Sequence, residues 1–304
     1  MSAGTSSEVS RPDSDGAGVR AVTTPGPAPD RAPTAVPAGP RGHGGLLGAG
    51  VRRVLLALTL PVALVAAWWL TTADSTSFYW PPLREIVTAF GETWTRERLL
   101  ADVLPSILRL LAGLAIALVL GIAAGLLIGS SRTLRAVLEP PMELLRAIPP
   151  PVLVPVIMLF AGIGDGMKVA VIASGCVWPV LLNTVEGVRG VDPVLRETAR
   201  SYRLGRWRLV RTLLLRAASP QIMAGARQAL AIGVILMVIS EMFAATNGLG
   251  FTIVQFQRSF AIPQMWSGVI LLGLIGVALS LLFKLVERRV LAWYHGLRAA
   301  QRKA

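Results

Sequence analysis

The residues able to do chemistry in this 304-residue chain are few and scattered. One acid, Glu241, falls inside a long apolar run, where a charge is costly and therefore a functional candidate. It can act on a passing ion or solute, or it can be an interfacial carboxylate bonded to a helix terminus. Arg109 stands near the start of another apolar run, where its head can snorkel to water or attract an anion. Trp178 and Asn183 lie in a third run. Both can line a route through the molecule, and both can equally serve packing or a hydrogen bond to a neighbouring helix. Cys176 is the single cysteine, and His43 and His295 lie at opposite ends of the chain, so neither an internal disulfide nor a Cys/His metal site is expected. The nearest approach to a phosphate-cradling loop is GIGDGMK, Gly162 to Lys168, which lacks the adjacent Gly-Lys-Ser/Thr. No GxSxG elbow is present, which argues against a hydrolase. These residue types suit the handling of ions and solutes better than the making of bonds.

The elements that must position them are membrane spans. Apolar residues make up 53% of the chain and charged residues 15%, against about a quarter charged in soluble domains. Several runs approach the roughly 20 apolar residues that cross a bilayer. Six are expected: 54–70, about 106–129, VLVPVIMLFAGIG after Pro149, Pro150 and Pro151, about 168–183, about 222–245 and about 266–286. The fold class is all-α, with six transmembrane helices. Gly121, Gly125 and Gly129, at steps of four, put a smooth stripe on the second span where another helix can approach closely. Residues 1–48 are rich in Pro, Gly, Ala, Ser and Thr and are expected to be a disordered tail. Residues 49–103 hold the first span and the loop after it, 104–290 the core, and 291–304 a second tail. Fifty residues are too many for the n-region of a signal peptide, so the first span is expected to be uncleaved.

The net charge of +13 admits two explanations. Nucleic acid is one. The other is retention of Lys and Arg on the cytoplasmic side of a plasma membrane. Arg-bearing loops alternate strictly with Arg-poor ones. Arg41, Arg52 and Arg53 precede span one, Arg132, Arg135 and Arg146 follow span two, the densest cluster follows span four, and Lys284, Arg288, Arg289, Arg298, Arg302 and Lys303 end the chain. The intervening loops are acidic or nearly uncharged. Dragging one Arg to the bilayer centre costs roughly 2.5–3.5 kcal/mol, so both termini and the Arg-rich loop are expected in the cytoplasm.

That loop reads RETARSYRLGRWRLVRTLLLRAASP, Arg196 to Pro220. Asp192 can cap a helix and Pro193 suits its first position. Leu195, Ala199 and Tyr202 share one helical face, and Gly205 can end the helix. Trp207, Val210 and Leu214 form the apolar face of a second helix leading into span five at Pro220. The first helix is amphipathic, and its apolar face needs either lipid headgroups or a protein.

The stretch resembles the signature loop of ATP-binding-cassette (ABC) importer permeases: Glu-Ala-Ala, three residues, Gly, nine residues, Ile, one residue, Leu-Pro. Glu197, Thr198 and Ala199 fill the first three places, and Leu213 and Leu215 the Ile and Leu places. Arg203 stands in the Gly place, with Gly205 two residues later, and Arg216 stands in the Pro place. LRAIPPPVLVPVIMLFAGIGDGMKVAVI, PVLLNTVEGVRGVDP and SEMFAATNGLGFTI are similar to the nitrate/sulfonate/taurine subfamily, so the likeness runs from about Leu104 to Arg298. It implies a type I importer permease with its coupling loop at about 190–220. It implies ATPase partners that bind ATP on their own chains, an extracytoplasmic solute-binding protein, and a second permease copy. No cofactor belongs to this chain on that reading. ATP closes the ATPase dimer, the coupling helices move together, and the permease pair turns from inward-facing to outward-facing. Glu197, Thr198, Ala199, Tyr202, Arg203 and Gly205 become the ATPase-coupling residues, and the solute is a small anion. A channel or secondary transporter needs no ATPase, but the chain holds few intramembrane ionisable groups and no evident inverted repeat. A nucleic-acid binder built on the Arg-rich loop is disfavoured by its sparse aromatics, Tyr202 and Trp207.

Overall fold

The computed structural model describes residues 46–243, 245–294 and 296. His43, His295 and nearly all of the two expected tails lie outside the described residues, although helix already begins at Leu46. The described residues form helices and connecting turns, without a strand. They are α1 (Leu46–Thr72), α2 (Leu83–Thr93), α3 (Arg96–Ser130, with a π-helical turn at Leu99–Val103), α4 (Arg132–Ala147), α5 (Pro150–Ala161), α6 (Asp165–Arg189), α7 (Pro193–Ser201), α8 (Arg206–Phe243, with a π-helical turn at Val210–Leu214), α9 (Leu249–Arg258) and α10 (Ile262–Val290).

Four of these, α3, α6, α8 and α10, are each long and apolar enough to cross a membrane. They carry the second, fourth, fifth and sixth expected spans. The described apolar part of α1 is Thr59–Thr72. The third expected span takes a different form. Pro149–Pro151 closes the amphipathic α4, α5 starts afresh from Pro150, and the two helices meet at 73°. Proline fixes φ and biases the preceding residue away from the α region, so three in a row force the break.

The packing of α3 on α6 shows that this bent pair recrosses the bundle. A Cβ added at Gly113, Gly121, Gly125 or Gly129 would lie 2.5–2.9 Å from the side chain of Ile172, Val180, Thr184 or Val188 respectively. Each partner lies 59 positions further along the chain, so α3 and α6 run parallel in fixed register. Parallel neighbours require the chain between them to return across the layer, and α4 with α5 is that return. The glycine stripe read from the sequence is the contact itself. In lipid, where burial of apolar surface does not drive helices together, close backbone approach over small residues does.

α8 runs antiparallel to α6. Gly187 meets Ala218, Gly225 meets Pro179 and Asn183, and Gly233 meets Cys176. The core lies where these three helices converge, around Leu110, Ile172, Cys176, Val180, Ala229 and Met237. The Cys176 thiol donates to the Ala229 carbonyl at 3.1 Å and is structural. α8 is 38 residues long, about 57 Å at 1.5 Å per residue. A bilayer core is about 30 Å thick, so α8 must project beyond it. Its first turns carry Arg206, Arg208, Arg211 and Arg216. The boundary expected at Pro220 does not exist: that proline lies inside continuous helix, and the second loop helix and the fifth span are one rod broken only by the π turn.

The candidate coupling loop and the buried ion-pair cluster

At the arginine-rich end, Asp192 and Pro193 open α7 as the sequence leads one to expect. The Asp192 carboxylate accepts the Val194 N–H at 2.8 Å, and Pro193 occupies the first turn, where its missing N–H is not needed. The Arg196 guanidinium donates to the Val188 carbonyl, tying α7 to the last turn of α6. Behind it, Val188, Val191, Leu214, Ala218 and Ile222 form a small apolar core that fixes the loop on the bundle.

Two expectations for this loop need correction. First, Leu195, Ala199 and Tyr202 do not form one exposed face. Ala199 is 6% exposed and packs inward, while Leu195 and Tyr202 are exposed. The free apolar surface is Val194, Leu195, Tyr202 and Trp207, with the exposed Glu197 and Thr198 beside it. Second, Gly205 does not end the helix. Its backbone is extended (φ −60°, ψ 150°). The reversal occurs at Arg203, with φ 50°. The Leu204 N–H reaches the Ala199 carbonyl at 3.1 Å, and the Arg203 N–H reaches Arg200 at 2.8 Å. These two bonds are the Schellman pattern, whose C′ residue is normally Gly. Arg203 fills the place that the signature loop gives to Gly, so the backbone follows the signature's geometry in its own register. The arginine carries strain there, about 1–2 kcal/mol for a left-handed L-residue.

At the opposite end, residues far apart in sequence meet. Arg109 of α3 is 4% exposed and Glu241 of α8 is fully buried. The guanidinium donates from Nη1 to Glu241 Oε1 at 2.8 Å, from Nη2 to Asn247 Oδ1 at 2.6 Å, and from Nε to Asp165 Oδ1 at 2.8 Å. Ser106, one turn before Arg109, donates its hydroxyl to Glu241 Oε1 at 2.6 Å and accepts the Leu249 N–H at 2.9 Å. Glu241 Oε2 accepts the Gly250 N–H at 2.9 Å, so the carboxylate sits on the N-terminus of α9, where anions are favoured. Gly248 has φ 123°, and a Cβ there would stand 2.5 Å from the Glu241 carboxyl carbon. Only glycine serves at that position.

Of the four residues expected along a route, Arg109 and Glu241 therefore form one cluster. Arg109 does not snorkel outward; it is held inside by Glu241 and Asn247. Asn183 and Trp178 stand elsewhere. Asn183 lies 18 residues along α6 from Asp165, about 27 Å by helical rise. Its amide donates to the Pro179 carbonyl at 2.8 Å and to Gln228 at 3.2 Å, and Trp178 is half-buried nearby. The sequence reading missed Ser106, Asp165, Lys168, Asn247 and Gly248. Two spacings carried a signal: Ser106 with Arg109, and Asp165 with Lys168, are pairs three residues apart, hence on one helix face.

Comparison with known proteins agrees with this architecture. The family model described as "Binding-protein-dependent transport system inner membrane component" matches residues 117–292. The chain is similar to the taurine transport system permease protein TauC of Escherichia coli (strain K12), 30% identical over 251 residues that span 80% of this chain and 91% of TauC. It is similar to the bicarbonate transport system permease protein CmpB of Synechococcus elongatus, 28% identical over 253 residues, 78% of this chain and 90% of CmpB. A solved inward-facing structure of the MetNI methionine ABC transporter shares the fold, with a TM-score of 0.56 at 19% identity over 64% of this chain and 97% of that one.

Proposed function

Because the chain belongs to the family of binding-protein-dependent transport system inner membrane components, we propose that it carries a small anionic solute of the sulfonate, taurine or nitrate type into the cytoplasm, with α7 as its coupling helix. Members of this family work with ATPase subunits and a solute-binding protein. On this reading ATP is bound by the partner subunits, two copies of the permease form the pore, and both termini face the cytoplasm. TauC and CmpB are named for taurine and bicarbonate, solutes whose heads are small oxoanions.

The observation that carries the coupling assignment is the build of α7. Its capped start, the bond from Arg196 to α6 and the inward Ala199 make it rigid with the bundle. Its other side offers Leu195, Tyr202 and Trp207, 50%, 78% and 76% exposed, within a rim of Arg200, Arg203, Arg206 and Glu197. An apolar patch with a charged rim, on a lever fixed to the core, suits a groove on a moving partner better than free solvent. Glu197, Thr198, Tyr202 and Arg203 are the residues assigned to that contact. Ala199 and Gly205 act behind it, Ala199 by seating the helix and Gly205 by leading into α8. The test is solute uptake by liposomes containing the permease, its ATPase and its binding protein. Uptake should require ATP, and Glu197→Arg with Tyr202→Asp should abolish it while the chain stays folded. Uptake that persists without ATP, or that ignores these changes, refutes the proposal.

A further inference from the structure

The cluster at the start of α6 holds more positive charge than its buried acid can balance. Arg109 and Lys168 are each about 4% exposed, and Glu241 is fully buried. Two further acids stand close by: the half-buried Asp102, whose carboxylate accepts the Gly248 N–H at 3.4 Å, and Asp165, whose side chain is 69% exposed and which alone of the two pairs with the cations. Asp165 Oδ1 takes Arg109 Nε and Nη2, both at 2.8 Å, and lies 3.6 Å from Lys168 Nζ. That last separation is longer than a good hydrogen bond, and beyond Asp165 the Lys168 ammonium is attracted only through space, by Glu241, among the described residues. One oxygen thus serves three cationic N–H groups, while Oδ2 of the same carboxylate has no partner among the described residues. The surroundings are open: a Cβ at Gly162, Gly164 or Gly166 would meet nothing within 4 Å.

We propose that Arg109 and Lys168 form an oxoanion site at the outer mouth of the permease, occupied at rest by the Asp165 carboxylate and able to exchange it for the head group of the solute. This deepens the transport reading above and rests on it. The chemistry favours a singly charged oxoanion. An Arg fork takes two oxygens side by side, and a sulfonate or bicarbonate presents a third to the ammonium, which a single Asp oxygen cannot do. With Asp165 displaced, Arg109 and Lys168 face the buried Glu241, with Asp102 behind Gly248, so the site carries at most one positive charge, which a monovalent head neutralises and a divalent one overshoots. Asp165 is exposed enough to swing aside without unpacking the bundle, and Glu241 with Asn247 keeps Arg109 aimed while it does.

The experiment is calorimetric titration of methanesulfonate, with sulfate alongside, into the full chain in detergent at constant ionic strength. Asp165→Asn should bind methanesulfonate at least tenfold more tightly than the parent, and it should prefer methanesulfonate to sulfate. Adding Lys168→Met to Asp165→Asn should remove the gain; adding Lys168→Arg instead should retain most of it. No gain in Asp165→Asn, or a gain that survives Lys168→Met, overturns the proposal. Co-purification of a Walker-motif ATPase with the Asp165→Asn chain separates the two layers. If the ATPase is present and the gain is absent, the oxoanion site alone is refuted. If the ATPase is absent, the permease reading beneath it is refuted.

Discussion

The two ends of the bundle use arginine in opposite ways. At one end Arg109 is buried and every nitrogen of its guanidinium donates to Glu241, Asp165 or Asn247. At the other, Arg200, Arg203, Arg206 and Arg208 stand exposed around α7 and the start of α8. The difference is one of dielectric. A desolvated ion pair is costly to form but costlier to half-break, so it fastens helices in one arrangement. Exposed arginines contribute little to the fold and remain available to a partner. The far end is built as a clamp of α3, α6, α8 and α9, and the arginine-rich end as a handle.

This contrast can be broken at the clamp first. Glu241→Gln removes the buried counter-charge of Arg109 and leaves it only the exposed Asp165, and a loss of about 3 kcal/mol is expected from half-breaking the buried pair. Thermal unfolding in detergent measures it. Replacing both partners, Arg109→Met with Glu241→Leu, should recover much of that loss. A double variant as unstable as the single one would mean that the pair does more than balance itself. Next in size is Gly248→Ala, which forces a side chain into a glycine-only backbone region and against the Glu241 carboxyl. The expected loss is on the order of 1–3 kcal/mol, read by the same melt, and an unchanged melting temperature would remove the glycine argument.

The handle should respond to charge and shape without loss of stability. Glu197→Arg with Tyr202→Asp changes only exposed side chains, so its melting should shift by no more than about 0.5 kcal/mol. ATPase stimulation in the reconstituted complex should nonetheless fall to background. A stability loss matching that at the clamp would show that α7 is part of the core. The smallest effect sharpens the turn. Arg203→Gly relieves about 1–2 kcal/mol of left-handed strain and gives back about 0.5–1 through a freer unfolded chain. A net gain of about 0.5 kcal/mol is expected, with coupling retained. A loss would mean that the Arg203 side chain itself bears load.

Much of this was legible before any coordinates, because it is local. The step of four from Gly121 to Gly129 announced a close helix contact, and the Asp192-Pro193 pair announced the start of α7. Glu241 was recognisable as unusual from its apolar surroundings alone. What depended on distant partners was not legible. Nothing in the spacing brings Arg109 to Glu241, 132 positions away. The third span reads as one short apolar run because its first half, α4, is amphipathic and looks like a charged loop in the sequence. The sequence points to Gly205 for the turn after α7, because glycine is the usual left-handed residue. The backbone instead turns two residues earlier, where the signature loop requires it and where this chain holds arginine.

The central claim, that α7 is the surface gripped by the ATPase, is tested most directly by placing the photo-crosslinker p-benzoylphenylalanine at Tyr202 and, as a control, at the exposed Tyr79 near the opposite end. Illumination of native membranes should yield a covalent adduct with a Walker-motif chain from position 202 and none from position 79. Absence of that adduct at 202 in membranes where the chain and the ATPase are both present, or an equal adduct at 79, would contradict the account.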